Sequence, residues 1–158
     1  MTDMKIFRGT PDMGRPMTED DVNQFLQSKL NLQIATIDEK GDPIIQPVWF
    51  LYDQFAQRIY FDTSRVAKKL ANIRKNPRVY FSVDTEEYPY RCVKGKADAS
   101  VSEDVQRNVS IVEKIMTKYV GTLDHPTART ILGMAKAGSL VVLELTPRYY
   151  TTWDFTES

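Results

Sequence analysis

The residue of this chain best placed for chemistry is Lys69. It lies in the stretch Thr63-Ser64-Arg65-Val66-Ala67-Lys68-Lys69-Leu70-Ala71-Asn72-Ile73-Arg74-Lys75-Asn76-Pro77. Two hydroxyls, Thr63 and Ser64, follow a strand-like run, Ile59-Tyr60-Phe61-Asp62. A helical pattern then runs to Asn76, because Pro77 disfavours the helical conformation in the residue before it. Val66, Leu70 and Ile73 stand at i, i+4 and i+7, the inward stripe of an amphipathic helix. Lys69 falls inside that stripe and Lys68 opposite it. An ammonium on the core-facing side needs a counter-charge, because burying it unpaired is expensive. Free backbone N–H groups at the helix start, the two hydroxyls and Lys69 together make an anion site, with a phosphate as the obvious guest. A plainer reading stands beside this one. Ser64 serves only as a helix cap, and Lys69 lays its stem on apolar surface with its head in water.

Other reactive residue types are sparse. His125, the sole histidine, sits before Pro126 at a loop or helix start and has no evident partner for acid–base work. Cys92 is the sole cysteine, so no intrachain disulfide and no cysteine-based zinc cluster can form. It reads as a small core residue. Trp49 and Trp153 read first as core, and Glu86-Glu87 as a solvated turn. No Ser/His/Asp constellation is evident. No catalytic residue and no metal ligand set is assigned.

The chain has 158 residues, enough for a real hydrophobic core and most simply one domain. Lys plus Arg and Asp plus Glu both number 21, so the net charge is zero, without the basic excess of a nonspecific nucleic-acid binder. Zero net charge also gives little colloidal repulsion, which suits an oligomer. The start, Met1-Thr2-Asp3-Met4-Lys5, lacks an apolar signal core, and no run approaches the ~18 apolar residues of a membrane span. The expectation is a cytoplasmic protein without membrane partners.

Residues 1–17, with Gly9, Pro11, Gly14 and Pro16, read as an irregular arm ahead of a domain over 18–158. Thr18-Glu19-Asp20-Asp21 opens a helix that extends to about Leu30. Strands follow at Leu32–Ile37, Pro43–Tyr52, Arg58–Asp62 and, after the Thr63–Asn76 helix, Arg78–Asp84. Pro47 cannot donate to a ladder, so it marks an edge, a bulge or a split. A long strand runs from Tyr90 to Ser100, with Cys92 or Val93 facing in and Gly95 as a bulge. Helices follow at Val101–Val120, ended by Gly121, and at Asp124–Lys136. Strands at Ser139–Leu145 and Tyr149–Phe155 close the chain. Many strands and few helices predict a mainly β fold, a small antiparallel barrel with flanking helices.

The ordered set of segments resembles the pyridoxamine-phosphate-oxidase-like family of flavin-binding split barrels. The resemblance runs through Leu32-Gln33-Ile34-Ala35-Thr36-Ile37 and its turn to Pro43, Pro47-Val48-Trp49-Phe50, and Ile59 to Ser64. It continues through Lys69-Leu70-Ala71-Asn72-Ile73, Asn76-Pro77-Arg78-Val79, Val93-Lys94-Gly95-Lys96-Ala97, Leu145-Thr146-Pro147 and Trp153-Asp154. It implies a six-stranded antiparallel split barrel, dimeric, with FMN or the deazaflavin coenzyme F420 at the subunit interface. By resemblance, Thr63, Ser64, Arg65, Lys68 and Lys69 are candidate phosphate ligands, Lys69 foremost. Gln46, Pro47, Val48 and Trp49 lie along the ring edge, and Phe61 and Asp62 approach the same place. Arg91 and Trp153 come from the partner subunit. The implied activity is hydride transfer to or from a small substrate by a homodimeric flavin- or F420-dependent oxidoreductase, with a flavin carrier or sensor and a haem-binding split barrel as alternatives. The end, Thr146-Pro147-Arg148-Tyr149-Tyr150-Thr151-Thr152-Trp153, lacks the histidine of true pyridoxamine-phosphate oxidases, which speaks against vitamin B6 oxidation.

Overall fold

The computed structural model describes residues 4–10 and 12–156. Residues 1–3 and Pro11 of the expected arm lie outside the described residues. The rest of the arm is not wholly irregular. A short strand, β1 (Ile6–Arg8), runs parallel to the last strand of the chain, pairing Ile6 with Tyr150 and Arg8 with Thr152. Arg15 ties the arm down further, its guanidinium 2.6 Å from the buried carboxylate of Asp154 and 3.3 Å from Asp21.

Helix α1 (Glu19–Phe25) starts where its capping box predicts. Asp21 N–H donates to the Thr18 hydroxyl while the Asp21 carboxylate accepts from Thr18 N–H. The helix stops at Phe25 rather than Leu30. Strands β2 (Leu32–Ile37), β3 (Pro43–Val48), β4 (Leu51–Asp53) and β5 (Arg58–Ser64) follow, then helix α2 (Lys68–Lys75). Strands β6 (Arg78–Asp84) and β7 (Arg91–Ser102) lead to helices α3 (Val105–Val120) and α4 (Pro126–Lys136), and β8 (Leu140–Asp154) ends the fold.

The sheet runs in the order β3-β2-β6-β7-β8-β5-β4, antiparallel throughout apart from the added β1. It is a split barrel of the expected mainly β class. Six long strands form it, and the three-residue strands β1 and β4 extend it. Its two ends, β3 and β4, are consecutive in the chain and separated only by Trp49 and Phe50. That link can span no more than about 10 Å, so the sheet must curl until its edges meet. The expected single strand Pro43–Tyr52 is thus two strands with a break, and Pro47 lies on the edge strand β3 opposite Gln33. Period-two alternation sends Leu32, Ile34, Phe61, Phe81, Val93 and Leu143 into the barrel core. A second apolar layer lies between α3, α4 and the outside of β5 and β8, built on Val112, Ile115, Met116, Leu132 and Val142.

Boundaries later in the chain also differ from expectation for identifiable reasons. Strand β7 continues to Ser102 because β8 pairs with it along its whole length, and α3 therefore starts at Val105, capped by Asp104. Strand β8 does not break at Pro147. The register slips there instead, Lys96 facing Tyr149 and Ala97 facing Pro147, which leaves Arg148 as the extra residue. Gly95 is accordingly not the bulge. A side chain there would stand 2.1 Å from the Tyr149 carbonyl oxygen, so only glycine admits this close approach. Gly121 does end α3, with φ of 86°. Among the described residues, no helix is long and apolar enough to cross a membrane.

Candidate functional site

A cleft of about 540 Å³ opens where β3, β5 and the start of α2 meet α3 and α4. Pro47, Val48 and Trp49 form one wall, and Asp62, Thr63, Ser64, Ala67 and Lys69 the opposite one. Asn31, Met116 and Ile131 complete it from α3, α4 and the turn before β2. These last three and Ala67 carry no local sequence signal, because they reach the cleft only through tertiary packing.

The charged wall is built around Lys69. Its ammonium donates to the Gln46 side-chain oxygen at 2.8 Å. Gln46 thereby joins the site from β3. Lys69 is half-buried, and that desolvation draws its pKa down, opposed by the charge of Asp62. Burial acts on Asp62 in the opposite sense. Its pKa is pushed up to about 6, although Lys69 and a hydrogen bond from its own backbone N–H favour the carboxylate. A carboxyl and an ammonium with mutually opposed shifts in one cleft mark it as a candidate site.

Helix α2 does not begin as the hydrophobic stripe predicts. Thr63 and Ser64 are the last residues of β5, and the cap is Ala67, with no side-chain hydrogen bond. Val66 precedes the helix and is 91% exposed, not inward. The Ser64 hydroxyl accepts from Val66 N–H at 3.3 Å. Leu70 and Ile73 do pack in the core, and Lys69 points to the cleft. Lys68 points away, 3.5 Å from Glu39 on the surface. Arg65 also leaves the cleft. Its guanidinium donates to the Gly138 carbonyl at 2.9 Å and to Glu103 at 2.7 Å. Phe61 is fully buried in the barrel core, because its neighbour Asp62 takes the cleft side of the strand. Thus Pro47, Val48, Trp49, Asp62, Thr63, Ser64 and Lys69 converge, Gln46 joins them through Lys69, and Phe61, Arg65 and Lys68 do not.

Arg91 and Trp153 stand apart within this protomer. The Arg91 guanidinium lies 5.2 Å from the centre of the Phe25 ring, and the Lys94 ammonium 5.2 Å from that of Trp153. Arg91 lines a larger cleft of about 980 Å³ with Lys29, Asp84, Glu86 and Glu87. Its charges are solvent-exposed, which makes the smaller cleft the better site. His125 caps α4, its Nδ1 accepting from Thr127 N–H at 3.1 Å.

The pyridoxamine 5'-phosphate oxidase family model matches residues 18–154, a span that holds every residue of the cleft. The chain belongs to this family. No curated protein matches it. Among solved structures, this family member is similar to the conserved hypothetical protein Rv2991 from Mycobacterium tuberculosis, with 20% identity, 94% of this chain and 91% of that one covered, and a TM-score of 0.78. An F420 reductase is 23% identical over 82% of this chain and 94% of its own, with a TM-score of 0.66. The haem storage protein HutZ from Vibrio cholerae is 20% identical over 86% and 93%, with a TM-score of 0.65. At these identities the three share the split-barrel fold of the oxidase family.

Proposed function

We propose that the chain is a homodimeric oxidoreductase that binds FMN, or alternatively coenzyme F420, in the cleft and serves hydride transfer to or from a small substrate. The observation that carries this reading is the Lys69 ammonium, half-buried in a cleft beside two hydroxyls and facing an apolar wall with a tryptophan. This donor set fits a phosphorylated, planar ligand. Lys69 holds the phosphate by a charge-assisted hydrogen bond, with the Thr63 and Ser64 hydroxyls as further donors. Pro47, Val48 and Trp49 give the ring an apolar face and exclude water. Gln46 fixes the Lys69 ammonium, and Asp62 accepts from hydroxyls of the ligand chain. The bound cofactor supplies the hydride chemistry, so the protein's share is binding, orientation and electrostatics. No protein acid is required, which fits a cleft without histidine. The similarity to an F420 reductase supports the choice between the two cofactors being left to measurement.

The dimer is supported by the outer face of the sheet. Ile45, Ala35, Tyr80, Lys96 and Tyr149 form one cross-strand row, with Phe7 packed edge-on against Tyr149. Ile45 is 66% exposed and Tyr80 50%. Such a row is an interaction surface in search of a partner. In this reading Arg91 and Trp153 reach the cofactor from the partner subunit, and neither nucleic acid nor a membrane takes part. Sedimentation should give a dimer at micromolar concentration, and Tyr80→Asp should shift it to monomer.

Two other readings separate by absorption. A flavin band bleached by reductant and restored by substrate identifies the enzyme, and a bound flavin that no substrate reoxidises identifies a carrier or sensor. A Soret band would identify the haem-binding alternative. Mass spectrometry of the released cofactor decides FMN against F420, and protein purified with neither, binding neither on addition, would end the reading.

A further inference from the structure

Lys118 is another half-buried lysine, and it serves nothing described so far. It lies on α3, and its ammonium donates to the Phe50 carbonyl at 2.9 Å. The same nitrogen stands 3.7 Å from the centre of the Phe50 ring and 4.9 Å from that of Tyr119. Among the described residues no carboxylate lies within ion-pairing distance of it, and burial alone draws its pKa down to about 8. Burying an ammonium against a carbonyl and two rings is a poor way to gain stability, because the desolvation cost is only partly offset. An apolar side chain at this position would cost the fold less.

The neighbouring residue acts on the same place. The Tyr119 hydroxyl accepts from Phe50 N–H at 3.3 Å and donates to the Leu30 carbonyl at 2.7 Å. Its ring stacks on Trp49, with centroids 4.9 Å apart and planes within 4°. Both backbone polar groups of Phe50 are therefore held from α3. Phe50 belongs to the two-residue break between β3 and β4, where no sheet ladder can hold them. The hydroxyl also holds Leu30, next to Asn31, and so joins the Asn31 lip of the cleft to the Trp49 lip.

We infer that Lys118 and Tyr119 are positioning residues of the cleft: they clamp the Trp49-Phe50 break from α3 and so set the orientation of the Trp49 wall and its distance from the Asn31 lip. Neither side chain lines the cleft. Their effect on a ligand passes through Trp49 and Phe50. The consequence for affinity rests on the cofactor reading above, but the clamp on Trp49 does not.

The fluorescence test uses the full-length chain with Trp153→Phe, which leaves Trp49 as the sole tryptophan, and the cofactor titrations use the full-length parent protein and its variants with Trp153 kept. Acrylamide quenching and anisotropy of Trp49 fluorescence, thermal midpoint and titration with FMN and with coenzyme F420 are measured for Lys118→Met, Lys118→Arg and Tyr119→Phe. Lys118→Met is expected to raise Trp49 quenching about twofold and weaken cofactor binding about five- to tenfold, without lowering the thermal midpoint. Lys118→Arg keeps a cationic donor and should restore the wild-type quenching. Tyr119→Phe keeps the ring but loses both hydroxyl contacts, and should also free Trp49. Unchanged Trp49 quenching in both Lys118→Met and Tyr119→Phe overturns the clamp. So does a loss of affinity that simply follows a fall in thermal midpoint. If the parent protein binds neither cofactor, the functional reading fails, and the quenching series still decides the clamp.

Discussion

The two walls of the cleft each bury a lysine, and they do so on different terms. On the β5–α2 side, Lys69 has a neutral amide at 2.8 Å and a carboxyl, Asp62, within electrostatic reach. On the β3–β4 side, Lys118 has a carbonyl and two aromatic faces and, among the described residues, no carboxylate partner. The first cation faces open space in the cleft, and the second faces backbone. A buried charge left incompletely neutralised beside a cavity is poised for a ligand, whereas one spent on a carbonyl is poised for geometry. In the proposed reading the same residue type serves recognition on one wall and construction on the other.

The largest expected effect tests the recognition wall. Lys69→Ala should weaken FMN or F420 binding by about 1.5–3 kcal/mol, roughly ten- to a hundredfold, through loss of a charge-assisted contact. Lys68→Ala, on the exposed side beside Glu39, should change affinity little. Fluorescence titration of the two variants checks this, and equal losses would erase the distinction between inward and outward lysines.

A smaller effect concerns the carboxyl beside Lys69. Asp62 has a folded pKa near 6, above its ordinary value. The folded state therefore holds the extra proton between about pH 4 and 6, so the contribution of Asp62 to stability is present below that window and lost as pH rises through 6. The thermal midpoint should fall as pH rises from about 4 to 6, and Asp62→Asn should flatten that profile. An Asp62→Asn profile as steep as the wild type would assign the pH dependence to another group.

The smallest effect belongs to the construction wall. Lys118 has its folded pKa lowered to about 8, so between about pH 8 and 10.5 the unfolded chain binds more protons than the folded one. Stability from this group should rise with pH across that window. The thermal midpoint of Lys118→Met should lack that component, and a difference curve between variant and wild type that is flat from pH 8 to 10 would count against the desolvated ammonium.

Much of this arrangement was legible in the sequence. The barrel class follows from the many strands and few helices, and the structure reproduces the ends of Leu32–Ile37 and Arg78–Asp84. The split of Lys69 from Lys68 follows from helical period alone. Val66 fits the same period and fails, because a stripe cannot reveal that the helix begins one residue after Ala67. Arg65 and Phe61 were misplaced for related reasons. The acceptors of Arg65, Gly138 and Glu103, are remote in sequence, and strand parity sends Phe61 to the core. The break at Trp49 was foreshadowed only by Pro47. Lys118 carried a readable signal, since Ile111, Ile115 and Lys118 stand at i, i+4 and i+7 on the face of α3 that packs inward. The logic that singled out Lys69 applies to it unchanged. Asn31, Met116 and Ile131 had no such signal, because their roles exist only after the helices dock on the barrel.

The edge strand β3 carries one more consequence. Pro43 pairs with Ile37 and Pro47 with Gln33, four residues apart on one side of the ladder. Neither proline has an N–H to give, so the donors they lack are those that would point away from β2, into solvent. Of the outward-donating positions 43, 45 and 47, only Ile45 keeps its N–H. An incoming strand would find one amide where a ladder needs a row of them. Strand addition, domain swapping and fibre growth are thereby disfavoured at this rim. At this rim an approaching chain would meet side chains on the face of the sheet rather than an edge it could extend.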